Sequence, residues 1–501
     1  MSGAEAGEVR ARDLRADVRH WRRGRSTLTL GELLQDVYIG VFAVLLLGSM
    51  LVSVLMNLSA LGDGVCVTET CVRARSLLPW LIAGTVWAVL WSLARLLGPV
   101  AVSPGVASWL LPTPVDRGSL LARRACGTTL LAAGLMVPAT VVAVIVAGFD
   151  VTSAVLFTVG AAGVASCGVA VLVHVQTVGV WGTRHRRHPA LLLGPASLVG
   201  VGVGLAVIAM GRAPLAPTSS NMWWAIAAAL TWLGVLGSLL RARGVTGRLR
   251  RRDVAAGGVL VPGLGGALAS LDLALMFDVV LGHVTGRRGR VRSRRGGPSG
   301  LGALVWRDVI RLRRSPARVL LLAGGLLLPY AGAEVGGGEV VLLVEVLVCF
   351  FLVLPMLVAL RVLTRSGGMV RALPLPIPAV RAATLVVPGV LLAAYGLISA
   401  PALHRALDVP AIDAALLGVA CGLGGLAAGA RWVTGRPPDY GRPLISTPAG
   451  AVPANLYGSV LRGFDVAALV ALPMLFAPTG GGAVLAMGLS LGVLTYLCGR
   501  R

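Results

Sequence analysis

The sequence predicts an all-α, polytopic integral membrane protein with about twelve transmembrane helices in two six-span halves. Hydrophobic residues make up 56% of the 501 residues and charged residues only 13%, about half the charged share of a soluble domain. A helix needs about 20 apolar residues to cross the hydrocarbon core of a bilayer, and about twelve stretches approach this length. A proline loop at the same place in each half indicates an internal duplication.

The predicted spans divide the chain into four parts. Those of the first half cover residues 37–58, 77–97, 128–147, 151–173, 191–210 and 223–240. Those of the second half cover residues 319–333, 340–360, 382–403, 411–430, 464–476 and 483–497, of which the first and fifth are short. We therefore expect a cytoplasmic tail (1–36), a first half (37–240), a basic cytoplasmic linker (241–318) and a second half (319–501).

The distribution of charge predicts the orientation of the chain. All 45 basic residues are arginine, because the sequence contains no lysine. With the N-terminus inside, outer loops hold only Arg73, Arg75, Arg212 and Arg405. The positive-inside rule then places both termini on the cytoplasmic side of the plasma membrane. The net charge of +24 is explained by this topology, and it favours contact with anionic membrane lipids rather than nucleic acid.

The linker contains an apolar segment, 254–281, that we interpret as interfacial or re-entrant rather than as a thirteenth span. Arginines precede it at 250–252 and follow it at 287–290, so spanning would leave one basic cluster outside. Asp272 and Asp278 lie within it, and each would cost about 2.5–3.5 kcal/mol at a helix centre.

Each half has one proline loop, which lies between its second and third predicted spans. Their candidate docking residues are Trp109, Pro112, Pro114, Asp116 and Arg117 in the first loop, and Pro374, Pro376 and Arg381 in the second. Proline fixes φ and disfavours helix at the preceding residue, so such a loop loses little conformational freedom when a partner docks. A purely structural role, ending two helices at the membrane surface, explains the prolines equally well.

Three further features are candidate sites. Trp306, Arg307, Asp308 and Arg311 precede the seventh span at helical spacing, which is typical either of an interfacial helix or of any basic flank. Glu345 is the clearest ionisable residue within a span; it is either a functional group or a shallow carboxylate that reaches water. Cys66 and Cys71 share an outer loop and are a candidate disulfide.

No catalytic, cofactor-binding or metal-binding motif stands out, and we expect the chain not to be an enzyme. A chain without lysine has no Walker A lysine. The G-x-S-x-G sequence at 488–492 lies in an apolar span, where the required strand-to-helix turn does not form. G-x-x-x-G spacings at Gly200/Gly204 and Gly418/Gly422 indicate close helix packing.

Some of these motifs carry a family resemblance. The sequence around Trp109–Arg117, the central Leu271-Asp272 and the late segments 436–440 and 462–465 resembles a family of uncharacterised actinobacterial multi-span membrane proteins. More distantly, each half resembles a six-span permease of the type-2 ATP-binding-cassette exporters, in which an interfacial helix precedes span one and a coupling helix joins spans two and three. This resemblance implies a separate ATPase subunit that docks on Trp109–Arg117 and Arg371–Arg381.

Two other functions fit the sequence. A secondary transporter of the major facilitator type also has twelve spans and a basic central loop, and Asp116-Arg117 matches part of its loop motif between spans two and three. A non-transporting membrane assembly or envelope protein is the other alternative. The short outer loops, poor in acidic residues and histidine, weigh against an envelope enzyme.

Overall fold

The computed structural model describes residues 69–113, 116–177, 193–212, 221–258, 260–261, 263–264, 273–286, 297–435, 444–447, 450–453 and 461–499, with single positions at 20, 34, 38, 45 and 49. The predicted tail, 1–36, and the first predicted span, 37–58, therefore lie outside the described residues apart from those single positions.

The described chain is built almost entirely from helices. The first half comprises α1 (Glu69–Leu97), α2 (Arg117–Ala147), α3 (Val151–Thr177), α4 (Leu193–Ala209) and α5 (Asn221–Gly247). The linker contributes α6 (Arg251–Gly258), α7 (Leu273–Gly286) and α8 (Leu301–Arg313). The second half comprises α9 (Pro316–Gly325), α10 (Leu327–Glu334), α11 (Val340–Val353), α12 (Val358–Arg365), α13 (Gly367–Arg371), α14 (Ile377–Leu407), α15 (Ala411–Val433), α16 (Phe464–Phe476) and α17 (Gly480–Gly499). Between α15 and α16, Leu444–Thr447 pairs antiparallel with Gly450–Pro453.

Seven of these helices are long and apolar enough to cross a membrane, so the fold is that of a polytopic α-helical membrane protein. They are α1 (from Cys71), α2, α3, α5 (from Trp224), α14, α15 and α17. Two bent pairs raise the number to nine among the described residues. One joins α8 to the segment Arg318–Glu334, which includes most of α9 and all of α10, at 79°; the other joins α11 to α12 at 64°. Every predicted span except 37–58 coincides with a described helix or bent pair, but α4 and α16 are short, so the predicted count of twelve is not confirmed.

Glycines allow the helices of the second half to pack backbone to backbone. A Cβ added to Gly418 would collide with the carbonyl of Gly396, and one added to Gly422 with the carbonyl of Leu392. The G-x-x-x-G prediction for α15 is therefore confirmed, because both glycines lie against α14. The other predicted pair is confirmed at Gly204, whose Cβ would lie 2.6 Å from the Leu81 side chain, but Gly200 has nothing within 4 Å.

The same helix pairs pack in both halves. In the first half, α3 packs on α1, α2 and α5; α2 also packs on α5; and α1 also packs on α2 and α4. In the second half, the positions of α1 to α5 are taken in order by α11, α14, α15, α16 and α17. These helices form all six corresponding pairs. This recurrence favours an internal duplication independently of the proline loops. The halves meet where Ile208 of α4 packs against Ala331 of α10.

The linker segment 254–281 does not form a single spanning helix among its described residues. Its short helix α6 lies against the end of α1, where Gly257 and Gly258 pack on the carbonyls of Leu97 and Val102. Its second helix, α7, lies against the second half, where Asp278 pairs with Arg361. One linker therefore contacts both halves at the same end of the helix bundle, which we call the linker side.

Candidate functional site

The first proline loop is a rigid element with an exposed tip. The Val100 amide donates to the side-chain oxygen of Gln176 at 3.1 Å, and the Gln176 amide donates back to the Val100 carbonyl at 3.0 Å. Leu111 is buried in a cluster with residues of α3 and α6. In contrast, Trp109, within a π-helical turn (Val106–Leu110), is 80% exposed, and Pro112 beside it is exposed. Pro114 lies outside the described residues.

Asp116 and Arg117 mark the point where this loop becomes α2. The Asp116 carboxylate accepts hydrogen bonds from the backbone amides of Gly118 at 2.9 Å and Ser119 at 3.1 Å, so Asp116 is the N-cap of α2. Hydrogen bonding from Ser119 holds the pKa of Asp116 below its ordinary value. Arg117 is exposed as the first residue of the helix. Asp116 therefore has a structural role whether or not a partner docks beside it.

The second proline loop is also pinned on one side and exposed on the other. Leu373 and Leu375 pack against buried Leu363 and Val380, whereas Pro374 and Pro376 point outward and are exposed. Met369 of the short helix α13, just before the loop, is 55% exposed. The alternation of leucine and proline thus fixes the loop on the bundle and presents the prolines at the surface.

Arg381 lies behind this loop rather than at its surface. Its guanidinium Nη1 donates to the carbonyls of Leu497 and Cys498, at 3.2 and 3.4 Å. These carbonyls belong to the last turn of α17, where a cation is favourable. Arg381 therefore joins the start of α14 to the end of α17, a role that the sequence did not indicate.

The predicted interfacial helix is α8, and it adjoins the second loop. Leu304 of α8 packs in the same cluster as Leu373 and Leu375. Trp306 and Arg307 are exposed, whereas Asp308 is buried and accepts a hydrogen bond from Arg311 at 2.8 Å. The sharp bend after α8 turns it away from the helix that follows, as expected for a helix that lies along the membrane surface. Together α8, α13 and the second loop form one continuous surface on the linker side.

A buried arginine on the same side was not predicted as a site. Arg361 of α12 is 2% exposed, and its guanidinium carbon lies 5.5 Å from the ring centre of Phe277 and 5.4 Å from that of Trp432. Its Nε and Nη2 both donate to Asp278, the second at 2.6 Å. Arg365 lies 3.8 Å from the same carboxylate. Bidentate pairing and stacking between rings are what guanidinium geometry favours, and here they hold α7 on the second half.

Glu345 lies deep in the second half. It is completely buried on α11, where the hydroxyl of Ser399 donates to its Oε1. Its Oε2 has no hydrogen-bond partner among the described residues. Of the two interpretations from the sequence, a shallow carboxylate that reaches water does not fit this complete burial. Arg405, one of the arginines predicted to lie in an outer loop, lies 3.5 Å from Glu334.

The remaining candidates concern cysteine and metal ligands. Cys71 is disulfide-bonded, but its predicted partner, Cys66, lies outside the described residues. Among the described residues, the free cysteines are Cys126, Cys167, Cys349, Cys421 and Cys498. Within the part of the chain that the structure describes, no group of three or more histidine, cysteine or acidic side chains is arranged to hold a metal ion.

These features define a helical membrane protein that presents two proline loops and the helix α8 on its linker side. The chain belongs to DUF6297, a family of unknown function whose model matches residues 71–443. Both loops, α8 and Arg361 lie inside the matched region. No curated protein and no solved structure matches the chain significantly.

Proposed function

We propose that the protein is the permease component of an ATP-binding-cassette type exporter and works with a separate ATPase subunit. The observation that carries this proposal is the pair of exposed loop tips, Trp109 in the first half and Met369 to Pro376 in the second, on the same side of the bundle. Each tip follows the second span of its half. In this proposal the linker side is the cytoplasmic side of the plasma membrane, and ATP is hydrolysed by the partner.

The way the loops are fixed suits such a role. A loop that transmits a movement must not absorb it, and hydrogen bonds to Gln176 and the packing of Leu111 tie the first loop to α3 and α6. The second loop is tied to α8 and α14 through Leu304 and Val380. A push on either tip would therefore pass to spanning helices with little loss in the loop itself.

One observation favours a secondary transporter instead. Glu345 is a buried carboxyl whose Oε2 has no hydrogen-bond partner among the described residues, and buried acidic groups in spans are frequent proton carriers. On this alternative, transport would be driven by an ion gradient and would need no ATPase. The two functions therefore differ in whether a second protein contacts the loops.

Site-specific photocross-linking distinguishes them. A photoreactive amino acid would replace Trp109 or Met369 in the native membrane, with Val151 and Ile412 as matched controls. The control residues lie in the first turns of α3 and α15, are 80% and 72% exposed, and lie near the opposite ends of α2 and α14 from the loops. We expect a Walker A ATPase to be cross-linked from the two loops and not from the controls. Absence of any such protein from both loops would refute the permease proposal.

A further inference from the structure

A notch lies between the interfacial helix and the second half, away from the proline loops. It is open to the surface and is bounded by α8, α9, α14 and the turn between α11 and α12. Its mouth is charged, with Asp308, Arg311 and Arg318. Its walls are apolar and include Leu312, Met356 and Leu391. A polar mouth over an apolar wall matches the two chemically distinct parts of a phospholipid.

The charges at the mouth favour an anion. Asp308 is 9% exposed, and the cations that act on its carboxylate are Arg311, Arg307 and Arg318. Two of these guanidiniums, those of Arg311 and Arg318, line the notch beside one carboxylate, which favours an anion there. Because Asp308 holds Arg311 at 2.8 Å, the guanidinium of Arg311 has a fixed position at the mouth while 34% of its side chain stays exposed.

The surface next to the notch has the character of a lipid contact. Directly after Arg318, the α9 side chains of Val319, Leu320 and Leu321 are 44%, 70% and 53% exposed. Three successive exposed apolar residues next to a basic mouth place the boundary between headgroups and acyl chains at this level. Basic pockets between helices at this boundary are typical binding sites for anionic headgroups.

We propose that this notch binds one anionic phospholipid. The phosphate contacts Arg311 and Arg318, and the start of an acyl chain lies against Leu312, Met356 and Leu391. The lipid then connects α8 to α14. This inference does not depend on the proposed transport function, because it concerns only the notch and its charges.

The test measures phospholipid retained by purified full-length protein after exchange into mixed micelles containing phosphatidylglycerol or phosphatidylcholine. We expect retention of phosphatidylglycerol, and about thirty-fold weaker retention in the double variant Arg311→Gln/Arg318→Gln, the loss expected from two arginine contacts. The control variant, Arg313→Gln/Arg314→Gln, removes the same charge from the same region without touching the notch and should retain lipid normally. Equal retention of both lipids, or an unchanged double variant, would overturn the proposal.

Two further measurements use the unaltered protein. Inorganic phosphate added at the same concentration should not displace phosphatidylglycerol; full displacement would mean that the site binds a free anion. A phosphatidylglycerol with a photoreactive acyl chain should label peptides that contain Met356 or Leu391. Labelling confined to other parts of the surface would refute the proposed site even if the arginine variants failed to fold.

Discussion

Loss of the Asp278–Arg361 pair should destabilise the protein by an amount that depends on which partner is removed. The side chain of Arg361 is 2% exposed and that of Asp278 is 38% exposed. The variant Asp278→Asn leaves a guanidinium charge buried without its counter-ion, which costs about 3 kcal/mol. The variant Arg361→Met leaves a carboxylate that reaches water and Arg365, and it places an apolar side chain between two rings. We expect it to cost only about 1 kcal/mol.

The double variant tests whether the unpaired buried charge of Arg361 causes the loss of stability. Asp278→Asn/Arg361→Met has no buried charge left to desolvate, so it should be about as stable as Arg361→Met alone. The coupling energy would then be about 3 kcal/mol in magnitude, within the range measured for close charge pairs elsewhere. The control Arg365→Met removes the more distant and more exposed cation, at 3.8 Å, and should cost under about 1 kcal/mol.

A thiol-reactive fluorophore provides the assay. Cys349 and Cys421 are completely buried in the second half, so they react only when it unfolds. The other free cysteines, Cys126, Cys167 and Cys498, would first be replaced by alanine. Unfolding in detergent is then followed against temperature and denaturant. Equal destabilisation by Asp278→Asn and Arg361→Met would refute the argument from unequal burial, and no effect from either would show that the pair does not hold α7.

Three further outcomes are expected. The variant Asp116→Ala should lose about 1 kcal/mol of stability because the N-cap of α2 is lost. The pKa of Asp116 is depressed in the folded protein, so the cap stabilises α2 near neutral pH and is lost as the pH falls through that pKa. Wild type and variant should therefore converge in stability in acid denaturation. The variant Gly418→Leu should prevent folding of the second half, because its side chain would enter the Gly396 backbone; correct folding, seen as unreactive buried thiols, would contradict the packing. The variant Glu345→Gln should keep the hydrogen bond from Ser399 and fold normally, so that loss of transport without loss of stability would favour the secondary transporter.

Hydropathy was sufficient to predict where the helices lie, but not how they bend. Apolar runs of about twenty residues are visible in the sequence itself, which is why each predicted span other than 37–58 coincides with a described helix or bent pair. The 64° bend between α11 and α12 falls at residues 354–357, Leu-Pro-Met-Leu, within a continuous apolar run. Hydropathy does not mark this bend, but Pro355 lies within it, and a proline inside a helix removes a backbone hydrogen bond and kinks the helix.

The candidate sites also differ in whether a local sequence signal marks them. The two loops and α8 were identified because proline and amphipathic spacing are local signals. The Asp278–Arg361 pair joins residues 83 positions apart, and each had a sufficient local explanation: a carboxylate that opposes spanning, and an arginine at a helix end. The depth of Glu345 likewise depends on α14 and α15, which only the fold brings over it.

The contact between α7 and the second half also bears on how the protein is made. Asp278 leaves the ribosome 83 residues before Arg361, an interval of roughly 4–17 s at about 5–20 residues per second. On the predicted topology, the apolar segment around Asp278 stays out of the bilayer during that time, before Arg361 has been synthesised. The choice between insertion and retention is therefore made by local residues, Asp278 among them. We therefore expect a substitution of Asp278 to lower the yield of inserted protein as well as its stability.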